Sequence, residues 1–348
     1  MTQGWIVRTS IVSFALIFLV SLYGEGKRAM GEELKYPLSD HYDGKRFFNP
    51  WGNNVAKSFW DVLKWRFSAE PRSWPEQVIN SAQPLLLKKG QSGSVHVTYV
   101  GHATTLIQDG QLSLLTDPQW SERAGPASFL GPKRIRKPGV DLSQIDHLDF
   151  VLVSHNHYDH LDLPTLQRLD QLFHPQFIVP LGNARILQGA GITRVKELDW
   201  WESFQMIQLV PVQHWSTRSL MDRNEALWGG YVITLSGKKI FFGGDTGYGP
   251  HFKMIRQHCG GMDLSLLPIG AYEPRWFMKE QHMNPDDAVM AHLDLGSKKS
   301  FAIHFETFRL TDEGFTEPRE ELKKAMGAHQ VSDEQFLAPQ IGETLILK

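Results

Sequence analysis

Apolar and polar positions divide the 348-residue chain into three stretches of different texture. The first is an unbroken apolar run, Ile11 to Tyr23 (IVSFALIFLVSLY), preceded by Arg8 and closed by Gly24, Glu25, Gly26, Lys27 and Arg28. It has the basic lead and core length of a signal segment, short of the roughly 20 residues that span a bilayer with ease. Leu22 and Gly24 would fill the small-residue cleavage positions and leucine is too large, so export signal and uncleaved membrane anchor both stand. A hydrophobic helix packed on the body is the plainer alternative. Residues 1–30 are set apart as this leader.

The second stretch, residues 31–92, is polar and broken by Pro37, Pro50, Pro71, Pro75 and Pro84, as expected of an N-terminal wrap made of loops. One helix is expected in it. Val55, Phe59, Val62, Leu63 and Phe67 recur at helical spacing, with Lys57, Asp61 and Lys64 on the other side. Trp51, Trp60, Trp65 and Trp74 crowd the same region. They either dock the wrap onto the body or, interleaved with basic residues, form a membrane-surface element.

From residue 93 to 348 short apolar runs alternate with turn signals. Strands are expected at 95–100, 103–107, 112–115, 149–153, 177–179, 206–211, 264–268 and 300–304, and a hairpin at 229–242 around Ser236-Gly237-Lys238. Helices are expected over 161–172 and 182–189. Another should start at Asn284-Pro285-Asp286-Asp287, a capping side chain followed by proline and acids, and stop at Gly296. The pattern gives a layered α/β domain with a mostly antiparallel character.

Composition narrows the options. Hydrophobic residues at 41 % and charged residues at 21 % exclude disorder for most of the chain. With 36 Lys+Arg against 38 Asp+Glu, the net charge of −2 offers no footprint for nucleic acid. A single cysteine, Cys259, excludes an internal disulfide framework and a cysteine zinc cluster, and is expected to be a small buried filler. Fifteen histidines mean that any metal is held by imidazole and carboxylate.

The candidate chemistry sits in Ser154-His155-Asn156-His157-Tyr158-Asp159-His160, directly after an apolar strand. Burying four such side chains without partners would cost several kcal/mol. Further ligand types follow other apolar strands: His214, Asp245 after Gly243-Gly244, and His304. His155, His157 and His214 are assigned to one divalent ion, and Asp159, His160 and His304 to a second, with Asp245 bridging. Zinc suits this donor set best, and iron or manganese also fit. The two glycines are expected to let the backbone approach an ion.

His-x-His-x-Asp-His followed by single His, Asp and His resembles the metallo-β-lactamase superfamily. Within it, the chain is similar to the N-acylphosphatidylethanolamine-hydrolysing phospholipase D group. The likeness rests on residues 155–162, His214-Trp215-Ser216, Phe242 to Tyr248, Pro268 to Met278, Gln281 to Pro285 and Thr307 to Leu310. It implies an αββα four-layer sandwich with two Zn2+ at one edge, preceded by an N-terminal extension. It further implies a phosphodiesterase that uses water ionised between the metals, with Asp159 and Asp245 as catalytic carboxylates. A phospholipid at a membrane surface would be split into phosphatidic acid and an N-acylethanolamine. The apolar leader departs from the characterised animal enzymes and suggests membrane association or export, to the periplasm or envelope if the source is bacterial.

Substrate-contact candidates are His102, Tyr158, Arg218, Tyr272, Glu273 and His282. His102, at a turn, is equally readable as a support for the ligands. His282 precedes a helix start, where anions bind. Arg218 could pair with phosphate or make a structural ion pair. Tyr272, Glu273, Arg275 and Trp276 line a lipid pocket or simply lock a proline loop. A lactonase or esterase on the same metal pair, or a zinc-binding envelope protein with little turnover, are the competing functions. Oligomeric state is open, a homodimer included.

Overall fold

The computed structural model describes residues 35–52, 57–70, 72–91, 93–219 and 221–348. The apolar leader at 11–23 lies outside the described residues, as does Val55 of the expected helix. Among the described residues no helix is long and apolar enough to cross a membrane.

Two seven-stranded sheets form the frame. The first contains β1 (Val95–Gly101), β2 (Thr104–Gln108), β3 (Ser113–Thr116), β4 (Phe150–Leu152), β5 (Gln176–Pro180) and β6 (Val195–Leu198) in that order, with the C-terminal β14 (Thr344–Leu347) added beside β1. The second runs β7 (Ser203–Phe204), β8 (Ile207–Val210), β9 (Gly230–Leu235), β10 (Lys238–Phe242), β11 (Leu264–Pro268), β12 (Lys299–Ile303) and β13 (Phe336–Leu337).

The expected antiparallel character holds for only half of each sheet. From β14 to β3, and from β7 to β10, neighbours are antiparallel; from β3 to β6, and from β10 to β13, they are parallel. Parallel neighbours need long crossovers, and the helices supply several of them. They are α2 (Leu163–Phe173) and α3 (Ala184–Gly189) in the first half, and α4 (His251–Cys259), α6 (Pro285–Leu295) and α7 (Glu317–His329) in the second. Two further helices, α1 (Phe59–Ser68) and α5 (Arg275–Met278), lie near the site.

Consecutive strand residues are buried on opposite faces, which is why their sequences read as continuous apolar runs. Ile107, Leu114 and Leu152 pack toward Tyr231, Ile233 and Phe241 of the other sheet. Their neighbours Leu106, Leu115 and Val151 pack with Leu166, Leu169 and Leu187 of α2 and α3. Helices therefore cover the outer faces, and the two sheets share the central core, as in the αββα sandwich. Tyr231 stitches the sheets together: its hydroxyl lies 2.8 Å from the Val153 carbonyl and 3.1 Å from that of Ile178.

The N-terminal segment is tied on by aromatics. Trp51 stacks on His251 and Trp200, Trp65 packs on Phe277, and Trp74 donates to the Glu313 carbonyl. His41 stacks on Trp200, and its two nitrogens lie 2.6 Å from Asp40 and 2.8 Å from Asp199. Burial opposes charge on His41, but the hydrogen bonds to Asp199 and Asp40 outweigh it and raise its pKa above 6.5. The folded state thus holds this proton more tightly than the unfolded chain. The attachment it supplies is complete below about pH 6.5 and fades as pH climbs through the raised value. Amide exchange or limited proteolysis of residues 35–52 should accelerate over that window, and His41→Gln should flatten the profile. A wild-type rate of opening that ignores pH there would refute the attachment.

Candidate metal centre

All the proposed ligands follow strand ends that meet at one edge of the sandwich. β1, β3 and β4 run in one direction in the first sheet, and β8, β10 and β12 share a direction in the second. The residues just past them are His102, Asp117, the 155–160 turn, His214, Asp245 and His304. Three of these adopt left-handed backbone without being glycine: His102 (φ 57°), Asp117 (φ 34°) and His304 (φ 62°). Such conformations cost about 1–3 kcal/mol each and persist where the surroundings enforce them. Here His304 N–H donates to the His102 carbonyl at 2.7 Å, tying two of the strained residues together.

His155, His157 and His214 converge as the spacing suggests. His155 Nε2 lies 2.8 Å and His214 Nε2 3.3 Å from His157 Nδ1. The protons on the far nitrogens are fixed by their partners. His214 Nδ1 faces the Gln281 carbonyl at 3.0 Å, which can only accept. His155 Nδ1 donates to Ser154 Oγ, whose own proton goes to Asp117 Oδ2 at 2.6 Å. Both Nε2 atoms are therefore bare lone pairs, and the single nitrogen between them cannot satisfy both. Burial and the neighbouring imidazoles hold His155 and His157 well below the ordinary histidine pKa, and bring His214 down to about 4.

Asp159, His160 and His304 form the second set. His160 Nε2 is 3.3 Å from Asp159 Oδ2 and from His304 Nε2, and His304 Nε2 is 3.4 Å from Asp159 Oδ2. His160 Nδ1 donates to Asp117 Oδ2 at 2.6 Å, turning Nε2 inward. Asp245 touches both sets: Oδ1 lies 3.1 Å from His304 Nε2, while Oδ2 lies 3.1 Å from His160 Nε2 and 3.9 Å from His214 Nε2. Burial would raise both Asp159 and Asp245, but His160 and the other imidazoles keep their carboxyls well below the ordinary range. Burial disfavours charge on His160, yet Asp245, Asp159 and Asp117 raise its pKa well above normal.

This donor set fits a divalent metal. Ligand atoms on a tetrahedral ion at about 2.0–2.1 Å are separated by about 3.3 Å, close to most of the spacings here. Buried lone pairs face one another, and Asp245 Oδ1 is buried without a hydrogen bond. Imidazole tautomers set by carbonyl and carboxylate partners are the usual support of metal ligands.

Two residues support the ligands: Asp117, which the sequence pattern did not single out, and His102, for which a supporting role was one of two readings. Asp117 fastens His160 directly and His155 through Ser154. His102 Nε2 donates to Asp159 Oδ2 at 2.9 Å, and burial, reinforced by His304, lowers the His102 pKa to about 3, so its ring is neutral. Ligand-type residues right after strands were the available signal: Asp117 follows Leu114-Leu115-Thr116. Gly244 was expected to clear space for an ion. Instead, at φ +55°, it clears space for Ser154, whose Cβ and Oγ would lie 2.6 and 2.7 Å from a Gly244 Cβ.

A cleft open to solvent lies over the cluster. His157, Asp159, Asp245 and His282 give it polar groups, and Trp65, Phe277, Met278 and Leu310 give it apolar walls. His282 Nδ1 is buried, without a hydrogen bond, and 3.8 Å from Asp245 Oδ2. The other substrate candidates lie elsewhere. Arg218 Nη1 donates to the Asn156 and Leu161 carbonyls, its guanidinium covers the Tyr158 ring, and Tyr158 Oη donates to the Arg218 carbonyl. Those two residues clasp the histidine-rich turn. Tyr272 and Glu273 are outside the cleft lining, with Tyr272 buried and the Glu273 carboxylate accepting from Arg275 N. Cys259 is half-buried, its Sγ donating to Gln208 Oε1.

Comparison with known proteins identifies the family. The β-lactamase superfamily domain matches residues 113–305, more than half of the chain. N-acyl-phosphatidylethanolamine-hydrolyzing phospholipase D 1 of Caenorhabditis elegans is 40 % identical over 330 residues, covering 86 % of this chain and 92 % of the worm protein. The mitochondrial N-acyl-phosphatidylethanolamine-hydrolyzing phospholipase D of Saccharomyces cerevisiae is 36 % identical over 267 residues, covering 74 % and 57 %. The metallo hydrolase Igni18 of Ignicoccus hospitalis shares the fold at a TM-score of 0.55 and 17 % identity, over 74 % of this chain and 99 % of its own. The chain belongs to the metallo-β-lactamase superfamily and is a metal-dependent hydrolase. Within that superfamily it falls in the group resembling N-acylphosphatidylethanolamine-hydrolysing phospholipase D.

Proposed function

We propose that the protein is a dinuclear zinc phosphodiesterase of phospholipase D type, which splits N-acylphosphatidylethanolamine into phosphatidic acid and N-acylethanolamine. The observation that carries this is the apolar-walled cleft ending on the imidazole–carboxylate cluster, in a chain 40 % identical to a protein of that name. Hydrolysis adds water across one P–O bond: hydroxyl joins phosphorus, and the proton goes to the departing ethanolamine oxygen. Bound divalent ions would supply Lewis acidity at phosphoryl oxygens and ionise water near neutral pH. The chain's own residues do the positioning. Trp65, Phe277, Met278 and Leu310 take acyl chains, with Trp65 fixed by its Nε1 donating to Asp312 Oδ2. His102 holds the Asp159 carboxylate at Oδ2 and stops it rotating. His282, on the cleft wall with Nδ1 uncommitted, is placed to hydrogen-bond the departing oxygen.

Helix α1 supports a lipid surface as the place of action. Val62 and Trp65 pack inward on Phe277 and Met278, while Trp60 and Phe67, seven residues apart, face outward at 74 % and 85 % exposure. Lys64, between them on the helix, has Nζ over the Trp276 ring, and Lys57 Nζ lies over the Phe277 ring. Aromatics flanked by lysines suit an anionic bilayer surface. An apolar leader at 11–23 would add to that attachment, as anchor or as export signal.

The test is an assay of zinc-loaded protein on vesicles containing the N-acylated phospholipid in 18O-water. Equal release of the two products is expected, with label in phosphatidic acid. Phe67→Glu should slow the vesicle reaction about tenfold and leave detergent-dispersed substrate nearly unaffected, since a phenylalanine inserted in lipid contributes about 1.5–3 kcal/mol. Lactone opening without phosphodiester cleavage, or no turnover after metal loading, would replace this function with one of its competitors.

A further inference from the structure

The segment at residues 49–51 precedes the matched superfamily domain, yet it reaches into the metal centre. Asn49 Nδ2, buried, donates to the His214 carbonyl at 3.0 Å. Trp51 Nε1 donates to Gln213 Oε1 at 2.8 Å, and the Trp51 ring stacks on His251 with centroids 5.3 Å apart. His251 Nε2 in turn meets Thr246 Oγ1 at 3.1 Å, one residue after Asp245. One short stretch of the wrap thus touches the loop that carries His214 directly and, through His251, braces the loop that carries Asp245.

We propose that Asn49 and Trp51 are positioning residues of the metal centre, clamping the His214 and Asp245 loops from outside the hydrolase domain. The clamp is built on Gln213, whose polar groups are all partnered, while Asn49 Oδ1 and His251 Nδ1 are buried without a hydrogen bond. Gln213 N donates to Thr246 Oγ1, its carbonyl accepts from Gly247 N, and its Nε2 donates to the Glu280 carbonyl. Trp51 completes this set at Oε1. Gly247 has to be glycine for the loops to come this close: a Cβ there would lie 2.5 Å from the Glu280 carbonyl oxygen and 2.9 Å from Gln213 Nε2. With the Gln281 carbonyl on its ring Nδ1 and Asn49 on its backbone carbonyl, His214 is held at both ends. Removing the Asn49 donor leaves a buried carbonyl unpaired, and the peptide that sets the direction of the ring must shift to find another partner.

The test uses the full chain loaded with Co2+, whose d–d spectrum reports coordination geometry. Asn49→Ala and Trp51→Phe, the second keeping a stacking ring, are compared with wild type in chelator competition, in the cobalt spectrum and in apo-protein thermal unfolding. Asn49→Ala, which removes a partner one bond from a ligand, should bind Co2+ about 10–100-fold more weakly and show altered d–d bands. Trp51→Phe, whose partner Gln213 is the neighbour of a ligand, should show the same changes at a smaller, severalfold size. Affinity within twofold of wild type and an unchanged spectrum would overturn the clamp, even if the unfolding midpoint fell. If Asn49→Ala does not fold, Trp51→Phe decides by the same criteria. The readout is metal binding, so the clamp stands or falls independently of the phospholipid substrate.

Discussion

Asp245→Asn is expected to lower hydrolysis by about 10³-fold or more and to leave the purified protein depleted of metal. Asp245 approaches both ligand sets, within 3.1 Å of His304 and His160 and 3.9 Å of His214. Asparagine keeps its shape but removes the negative charge and turns one acceptor oxygen into an NH2 group. That group would point hydrogens at imidazole lone pairs and exclude a cation. The apo protein should itself lose stability at neutral pH, because the carboxylate paired with His160 is replaced by a neutral amide. What should vanish is the rise in unfolding temperature that metal gives the wild type. Elemental analysis paired with thermal unfolding, with and without added zinc, checks both halves. A metal-replete, active variant would contradict the shared role of this residue.

Asp117→Ala should be the most destabilising change near the site. Asp117 is fully buried and accepts from Ser154 N, Ser154 Oγ and His160 Nδ1, at 2.7, 2.6 and 2.6 Å. Alanine strands three buried donors, and the expected loss is about 3–5 kcal/mol in denaturant unfolding. Asp117→Asn separates support from stability. Its oxygen still accepts from Ser154, but its NH2 faces His160 Nδ1 and pushes the imidazole proton to Nε2, into the cluster. Metal affinity should then fall about 10–100-fold with a smaller loss of stability. If both variants bind metal as the wild type does, the ring orientations are set by packing and the hydrogen-bonded support is dispensable.

The sequence exposed the site unusually far because its ligands are local events. Each sits directly after an apolar strand, and a strand end is where a sheet offers a side chain on a rigid base. The helix beginning at Asn284 was equally legible, since Asn284 and Asp287 form a reciprocal cap and Gly296 ends it in left-handed backbone. Less was visible where the pattern was weak. Helices at 251–259 and 317–329 carry polar sequences, and β14 is four residues long, so neither stands out without the neighbours that bury them. Arg218 shows the limit well. Beside a metal ligand it looked suited to phosphate, but its partners are the backbone carbonyls of Asn156 and Leu161, and a carbonyl has no signature in sequence.

What the chain order determined by itself is the inventory: which residues can bind metal, and that rigid strands present them. Tertiary structure decided the rest: that the ends of two sheets meet, and that His102 braces Asp159. It also decided that Asp117 sets the proton on His160, and that Asn49 and Trp51 reach His214 and its neighbour. The reason is physical. Strand and helix signals come from residues within a few positions of one another. The direction of an imidazole lone pair is fixed by hydrogen-bond partners brought close only when the sheets pack.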